Sequence, residues 1–292
     1  MIYIDMERAL TIARLFDKIR DIIPQLEIRD PQYLALKKLI SKRGCNEAAL
    51  LTICNSLVSY QLLIPGEEYW SLFADYFSRM PSTSLIEDLL EFMKANNYRF
   101  LTNKINRVKR FLYSNLAHRL RDNGLGFCEN PCSLYKDLLV ELKADKYSKT
   151  IAFAIKMYTY LCDICGVKVN SFLDIPLPLD RRNVLFSITS CLVKGCNSVA
   201  TCTSILYKEN KLKEMLLKTW NNICRLSGIP CIKIDVFTWL FTGVLEKVRF
   251  NANKVIQVFR EKYEVEIPFE VVYEFSRCGG LHECTRNTGK YR

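Results

Sequence analysis

Helix start and stop signals recur along nearly the whole chain, and few folds accommodate that. The stretch "RDPQYLALKKLISKRG" opens with Asp30 as a cap and Pro31 at the first helical position, and stops at Gly44. "NEAALLTICNSLVSYQLLIP" starts again at Asn46 and is ended by Pro65. Ser84, three residues before Glu87, forms a capping box that opens a helix to about residue 95. Further helices are predicted at about 99–122, 133–144, 149–165, 181–193, 205–227, 234–247 and 252–262. Strict apolar–polar alternation is short and rare, and the chain carries no internal repeat or low-complexity segment. The expected class is therefore all-α. The proline-bearing break "GVKVNSFLDIPLPLD" is the best candidate for a crossing between two helical halves.

With 292 residues, 49% of them hydrophobic, the chain has ample material for a core and is not disordered. No run of about 18 or more uncharged apolar residues appears, so no membrane span is expected. The N-terminal stretch has early acids and reads as an amphipathic helix, not as a signal peptide. An intracellular protein is the expectation.

Net charge is +11, which suits a polyanion such as nucleic acid and equally fits a merely basic enzyme. The stretch 99–121 concentrates that charge. Arg99, Lys104, Arg107, Lys109, Arg110, Arg119 and Arg121 come with one histidine and no acid, as a phosphate-facing surface requires. A solvated helix face is the plainer reading.

Thirteen cysteines include a single CxxC at Cys162 and Cys165, with only two histidines in the chain. Neither a zinc site nor a four-cysteine cluster site has its spacing. Buried apolar cysteines account for most of them, with some disulfides in case the source is a hyperthermophile.

Lys149 stands on the first turn of an apolar-periodic stretch, where the helix's partial positive charge disfavours a cation. Lys149, Phe153 and Lys156 follow at i, i+4 and i+7 on one face. An uncharged amine is a nucleophile able to form a Schiff base. The polar turn before it, "KADKYSK", offers basic residues and helix-start amides to a phosphate, Lys146 among them. Downstream, Asp180 precedes the next helix. It fits a cap, and it also fits the carboxylate partner of an amine that breaks a glycosidic bond.

A helix, a basic turn, a lysine and then an aspartate across a loop resemble the helix–hairpin–helix (HhH-GPD) DNA glycosylases. "RDPQY", "NSLVSYQLLIPGEEYWSLFADYFSR", "SKTIAFAIKMYTY", "FLDIPLPLDRR" and "SGIPCIKIDVFTWLF", in that order, resemble one branch, the archaeal GO glycosylase (AGOG) family.

The resemblance implies removal of 8-oxoguanine from damaged DNA, followed by strand cleavage by β-elimination. Lys149 would be the attacking amine and Asp180 the catalytic carboxylate. Gln32, Trp70, Phe153, Lys156, Asp235 and Trp239 would form the lesion pocket. Two of the aromatic rings, Phe153 and Trp239, suit a flat flipped base, and Gln32 and Asp235 suit its polar edges. Lys104, Arg107, Arg110 and Lys146 would meet the DNA backbone. Neither metal nor cofactor is implied, and a monomer is expected.

The expected architecture is two helical subdomains with an active-site cleft between them: about 66–175 with the hairpin and Lys149, and about 1–65 plus 176–292. Trp70 and Trp239 read equally as core residues, Gln32 as a surface residue, and Asp235 as a cap for the helix holding Trp239. A glycosylase for another damaged purine and a non-catalytic DNA-binding module both remain open on the residues alone.

Overall fold

A computed structural model describes residues 2–79, 84–170 and 172–279. The tail after residue 279, with Cys284 and His282, lies outside the described residues. The fold is all-α, with a single pair of two-residue strands among the described residues. It divides into two compact units. Among the described residues no single helix is long and apolar enough to cross a membrane.

The first unit takes the chain up to Glu27 and again from Pro176. Strand β1 (Tyr3–Ile4) leads into helices α1 (Met6–Lys18) and α2 (Ile22–Glu27). The second unit, Ile28–Ile175, holds α3 (Pro31–Val58), α4 (Gly66–Arg79), α5 (Leu85–Asn96), α6 (Leu101–Leu112), α7 (Asn115–Asp122), α8 (Pro131–Glu141) and α9 (Lys149–Ile164). The chain then returns to the first unit with α10 (Arg181–Thr189), β2 (Val193–Lys194), α11 (Val199–Lys208), α12 (Asn210–Ser227), α13 (Cys231–Lys247), α14 (Ala252–Tyr263) and α15 (Phe269–Ser276).

The second unit is built around α3, which packs mainly on α9 and α4. Residues 28–65 therefore belong with the middle of the chain, not with residues 1–27 and 176–292 as expected. Residues Ala48 to Val58 are all buried, and a helix apolar on every side sits at the centre of its unit. Gly44 interrupts α3 with φ 73° and ψ 168°, a backbone state that only glycine adopts without strain. At Gly124 a side chain has no room: an added Cβ would stand 2.7 Å from Asn46 Cα. The helices expected as 99–122 are two, because the buried Ser114 stops α6 and caps α7 through Ala117 N–H at 3.2 Å. The α8–α9 hairpin turns without glycine, and Lys143 takes the left-handed position instead, at φ 47°.

In the first unit α1 packs on α12 and α10 on α13. Phe16, Phe186, Trp220, Phe237, Phe241 and Phe275 interlock there with ring centroids 4.9–6.4 Å apart. Strands β1 and β2 pair antiparallel, Tyr3 opposite Lys194.

Among the described residues ten cysteines form five disulfides, which corrects the reading of most as isolated buried thiols. Cys45–Cys165 and Cys128–Cys162 lie in the second unit. Cys191–Cys278, Cys196–Cys202 and Cys224–Cys231 lie in the first. The CxxC pair is thus two half-bridges to different partners. In the loop-entropy account, the 120-residue separation of Cys45–Cys165 corresponds to about 5 kcal/mol of stabilisation.

Candidate active site

Helix α9 carries the proposed nucleophile. Its cap residue Ser148 makes no side-chain capping bond, so no hydroxyl shields the start of the helix. Lys149 is the first helical residue and is half-exposed. The preceding turn is held by Asp145, which accepts from Tyr147 N–H at 2.7 Å, and by the Tyr135 hydroxyl donating to the Lys146 carbonyl. Arg107 of α6 reaches the same turn and donates from Nη2 to Thr150 Oγ1 at 2.8 Å. Its Nε is buried with no hydrogen-bond partner. Burial pulls the guanidinium below its usual range, and the Tyr60 hydroxyl partly offsets this.

One turn along the same helix, Phe153 is half-buried and meets Trp70 of α4 edge to face at 6.1 Å. Trp70 is 1% exposed, and its Nε1 has no hydrogen-bond partner. Gln32, on the first turn of α3, is 4% exposed and not a surface residue; its Oε1 also lacks a partner. Such buried polar atoms cost roughly 1–3 kcal/mol each.

The Lys156 amine is buried and pairs with Asp30 Oδ2 at 3.5 Å. Asp30, fully buried, also accepts from Gln32 N–H at 2.9 Å and from the Tyr160 hydroxyl at 2.9 Å. Sequence reasoning read Asp30 only as a cap. The missed signal was Tyr160, one turn after Lys156 on α9.

Lys104 does not face DNA. It is 0% exposed, and its amine donates to Asn97 and sits over the Tyr60 ring at 4.8 Å. Burial, and then Arg99, pull that amine down to about 8. The apolar side of α6 carries it inward with Val108 and Phe111. Arg110 and Lys146 are exposed, and Lys146 lies over the Tyr147 ring at 4.9 Å.

In the first unit, Asp180 caps α10, accepting from Asn183 N–H at 2.9 Å through Oδ1. The Asn183 side chain is the hub of that region. Its Nδ2 donates to the Pro178 carbonyl at 2.8 Å and to Asp235 Oδ1 at 2.5 Å, and its Oδ1 accepts from the Thr238 hydroxyl at 2.5 Å. Asp235 is therefore an interior residue of α13, which begins at Cys231, and not its cap. Trp239, one turn on, is half-exposed with the Arg182 guanidinium 3.8 Å above its ring. The sequence signal for Asn183 was its place three residues after Asp180. Among the described residues no group of three or more His, Cys, Asp or Glu side chains is placed to hold a metal ion.

A family model described as AGOG, N-glycosylase/DNA lyase, matches residues 13–273. An N-glycosylase/DNA lyase of Nanoarchaeum equitans is 39% identical over 155 residues, 52% of this chain and 65% of that protein. Its counterpart in Thermococcus kodakarensis is 30% identical, with 81% of this chain and 82% of that protein aligned. The crystal structure of an 8-oxoguanosine-complexed 8-oxoguanine DNA glycosylase from Pyrobaculum aerophilum matches with a TM-score of 0.68 and 26% identity. That match covers 87% of this chain and 95% of the other.

Proposed function

Because this chain belongs to the AGOG family of N-glycosylases/DNA lyases, we propose that it excises 8-oxoguanine from damaged DNA and cleaves the strand at the abasic site. The observation that carries this reading is the pair of orphaned polar atoms of the second unit, Gln32 Oε1 and Trp70 Nε1, Trp70 lying against Phe153 on the helix of Lys149. One accepts and the other donates, so a purine edge presenting both an N–H and a carbonyl oxygen satisfies both. 8-Oxoguanine has such an edge, and its flat face suits Phe153.

In this reading the DNA is bent and the lesion extruded, at a cost of a few kcal/mol for unstacking. The Lys149 nitrogen lone pair attacks C1′ of the extruded nucleotide. The bond from C1′ to the base breaks, and the base leaves with its electron pair and takes up a proton. The sugar ring opens at O4′, giving a C1′=N imine. Loss of a proton from C2′ then expels the 3′ phosphate from C3′ by β-elimination, and water hydrolyses the imine to restore the amine. Asp180 stabilises the cationic sugar and promotes proton transfer. Arg107, Arg110 and Lys146 bind phosphates, and Lys104 drops out of that set. Asp235, held by Asn183, and Lys156, held by Asp30, present fixed polar groups to the base.

Borohydride reduces the imine and links an amine-based lyase to its DNA. Wild type with 8-oxoguanine DNA gives the covalent adduct, while Lys149→Gln gives none and retains DNA affinity. Normal strand cleavage by Lys149→Gln refutes the assignment, and absence of trapping in wild type leaves a glycosylase for another damaged purine or a DNA-binding module.

A further inference from the structure

The first turn of α10 grips α13 with three successive residues. Asn183 exchanges hydrogen bonds with Asp235 and Thr238. Arg182 lies over the Trp239 ring. Arg181 donates from both terminal nitrogens to Glu246, at 3.0 and 2.5 Å. The grips run from Asp235 to Glu246, roughly 16 Å of α13 at about 1.5 Å per residue.

The middle grip differs in kind from its neighbours. Asn183 satisfies buried polar groups and Arg181 finds a carboxylate. Arg182 instead sets its guanidinium on an aromatic face, with Cζ 3.8 Å from the ring centroid. The room for it comes from Gly243, one turn past Trp239. A Cβ added there would stand 3.2 Å from both Cζ and Nη1 of Arg182. Gly243 lies inside α13, where glycine weakens a helix relative to alanine. The helix forgoes a better residue, and the space goes to this one cation.

The charge has a consequence for what Trp239 can accept. Trp239 is half-exposed, so its ring reaches solvent. Tryptophan is ordinarily the best cation binder among the aromatic side chains. Arg182 already fills that role from one side. A base stacked against the ring lies about 3.5 Å beyond it, which with the 3.8 Å to the guanidinium makes about 7 Å. Charges at that separation are inside the Debye length of about 8 Å at physiological salt and repel one another. Asp235, one turn before Trp239 on the same helix face, would by itself draw a cation there; Arg182 offsets it. Damaged purines divide on this point. Oxidised guanine is neutral, whereas purines alkylated on a ring nitrogen carry a positive charge.

We propose that Arg182 is a specificity-determining residue, a fixed cation on Trp239 that makes the site favour neutral oxidised purines over cationic alkylated ones, with Gly243 giving it its place. The proposal rests on the glycosylase reading and on Trp239 as a ring of the lesion pocket, and it narrows that reading to a charge class of substrate.

The test compares affinities for two non-cleavable lesions, 2′-fluorinated 8-oxoguanosine and 2′-fluorinated 7-methylguanosine, each in the same duplex. Fluorescence anisotropy is read in a mildly acidic buffer that keeps the methylated base cationic, and arginine stays charged throughout. Wild type should favour the neutral lesion. Arg182→Gln should narrow that preference about tenfold. Arg182→Lys keeps a cation and should retain most of the preference. Gly243→Ala displaces the guanidinium without removing its charge and should narrow the preference by a smaller factor. Equal weakening of both lesions in Arg182→Gln, as loss of a phosphate contact or of the fold would give, overturns the proposal. A wild type that does not favour the neutral lesion overturns it too. Borohydride trapping of wild type on 8-oxoguanine DNA, run in parallel, tests the lyase reading separately: trapping with an unchanged preference in Arg182→Gln removes only the role of Arg182.

Discussion

Asp30→Asn isolates the buried ion pair of the second unit. Asparagine caps a helix as well as aspartate does, and its amide oxygen still accepts from Gln32 N–H or the Tyr160 hydroxyl, both now at 2.9 Å. What is lost is the negative charge 3.5 Å from the Lys156 amine, where the two side chains are 2% and 0% exposed. Removing one partner of a buried pair costs about 3–5 kcal/mol, because the remaining charge stays out of water. The expected loss is about 3 kcal/mol for Asp30→Asn and about 4 kcal/mol for Asp30→Ala, which loses the cap as well. For a unit of this size that is a fall of roughly 10 °C in its melting temperature. Trp70, the one tryptophan of the unit, reports guanidinium unfolding once Trp220 and Trp239 are replaced by phenylalanine. Lys156→Met in the Asp30→Asn background removes the stranded cation and should recover more than half of the loss. An Asp30→Asn variant within 0.5 kcal/mol of wild type, or a double variant no better than the single, refutes the pair as a buried electrostatic unit.

Two other outcomes follow from the same geometry. Asp180→Asn keeps the α10 cap, so stability should hold while base excision falls by orders of magnitude; wild-type excision would leave Asp180 as a cap alone. Lys104, about 8 when folded against an ordinary 10.5, binds fewer protons in the folded than in the unfolded chain between those values. Stability of the second unit should therefore rise with pH from about 8 towards 10.5, and Lys104→Met should remove that rise; an unchanged pH slope in the variant would contradict it.

Much of this was readable from the chain because local signals and burial agree. Asp30–Pro31, Gly44 and Ser84 mark helix ends where the structure has them. The start of α9 at Lys149 was legible to the residue. Helix α11 was not, since Val199, Thr201, Thr203 and Ile205 lower its intrinsic propensity and its cap Ser198 sits in an unremarkable polar run. The two-residue strands are too short for any period to register. The fate of Lys104 was illegible for another reason. A cation run looks the same whether one member turns inward or not, and its partners Asn97 and Tyr60 come from other elements. The domain division expected near residue 65 falls instead at residue 28, ahead of α3. Among the site residues, placement was legible where one helix carries the group, as with Lys149 and Phe153. It was lost where a hub gathers distant segments, as Asn183 does for Pro178, Asp235 and Thr238.

The bridge from Cys45 to Cys165 ties a covalent circle that contains Trp70, Lys149, Phe153 and Lys156. Cys128–Cys162 draws a smaller loop inside it. Heat or denaturant can open the helices on this circle but cannot let its ends drift apart, so the melted chain keeps the tryptophan and the amine on one closed string. Such bridges persist where thiols are kept oxidised and also inside the cells of hyperthermophiles. In a reducing milieu the string is cut, and those groups would then be held together by packing alone.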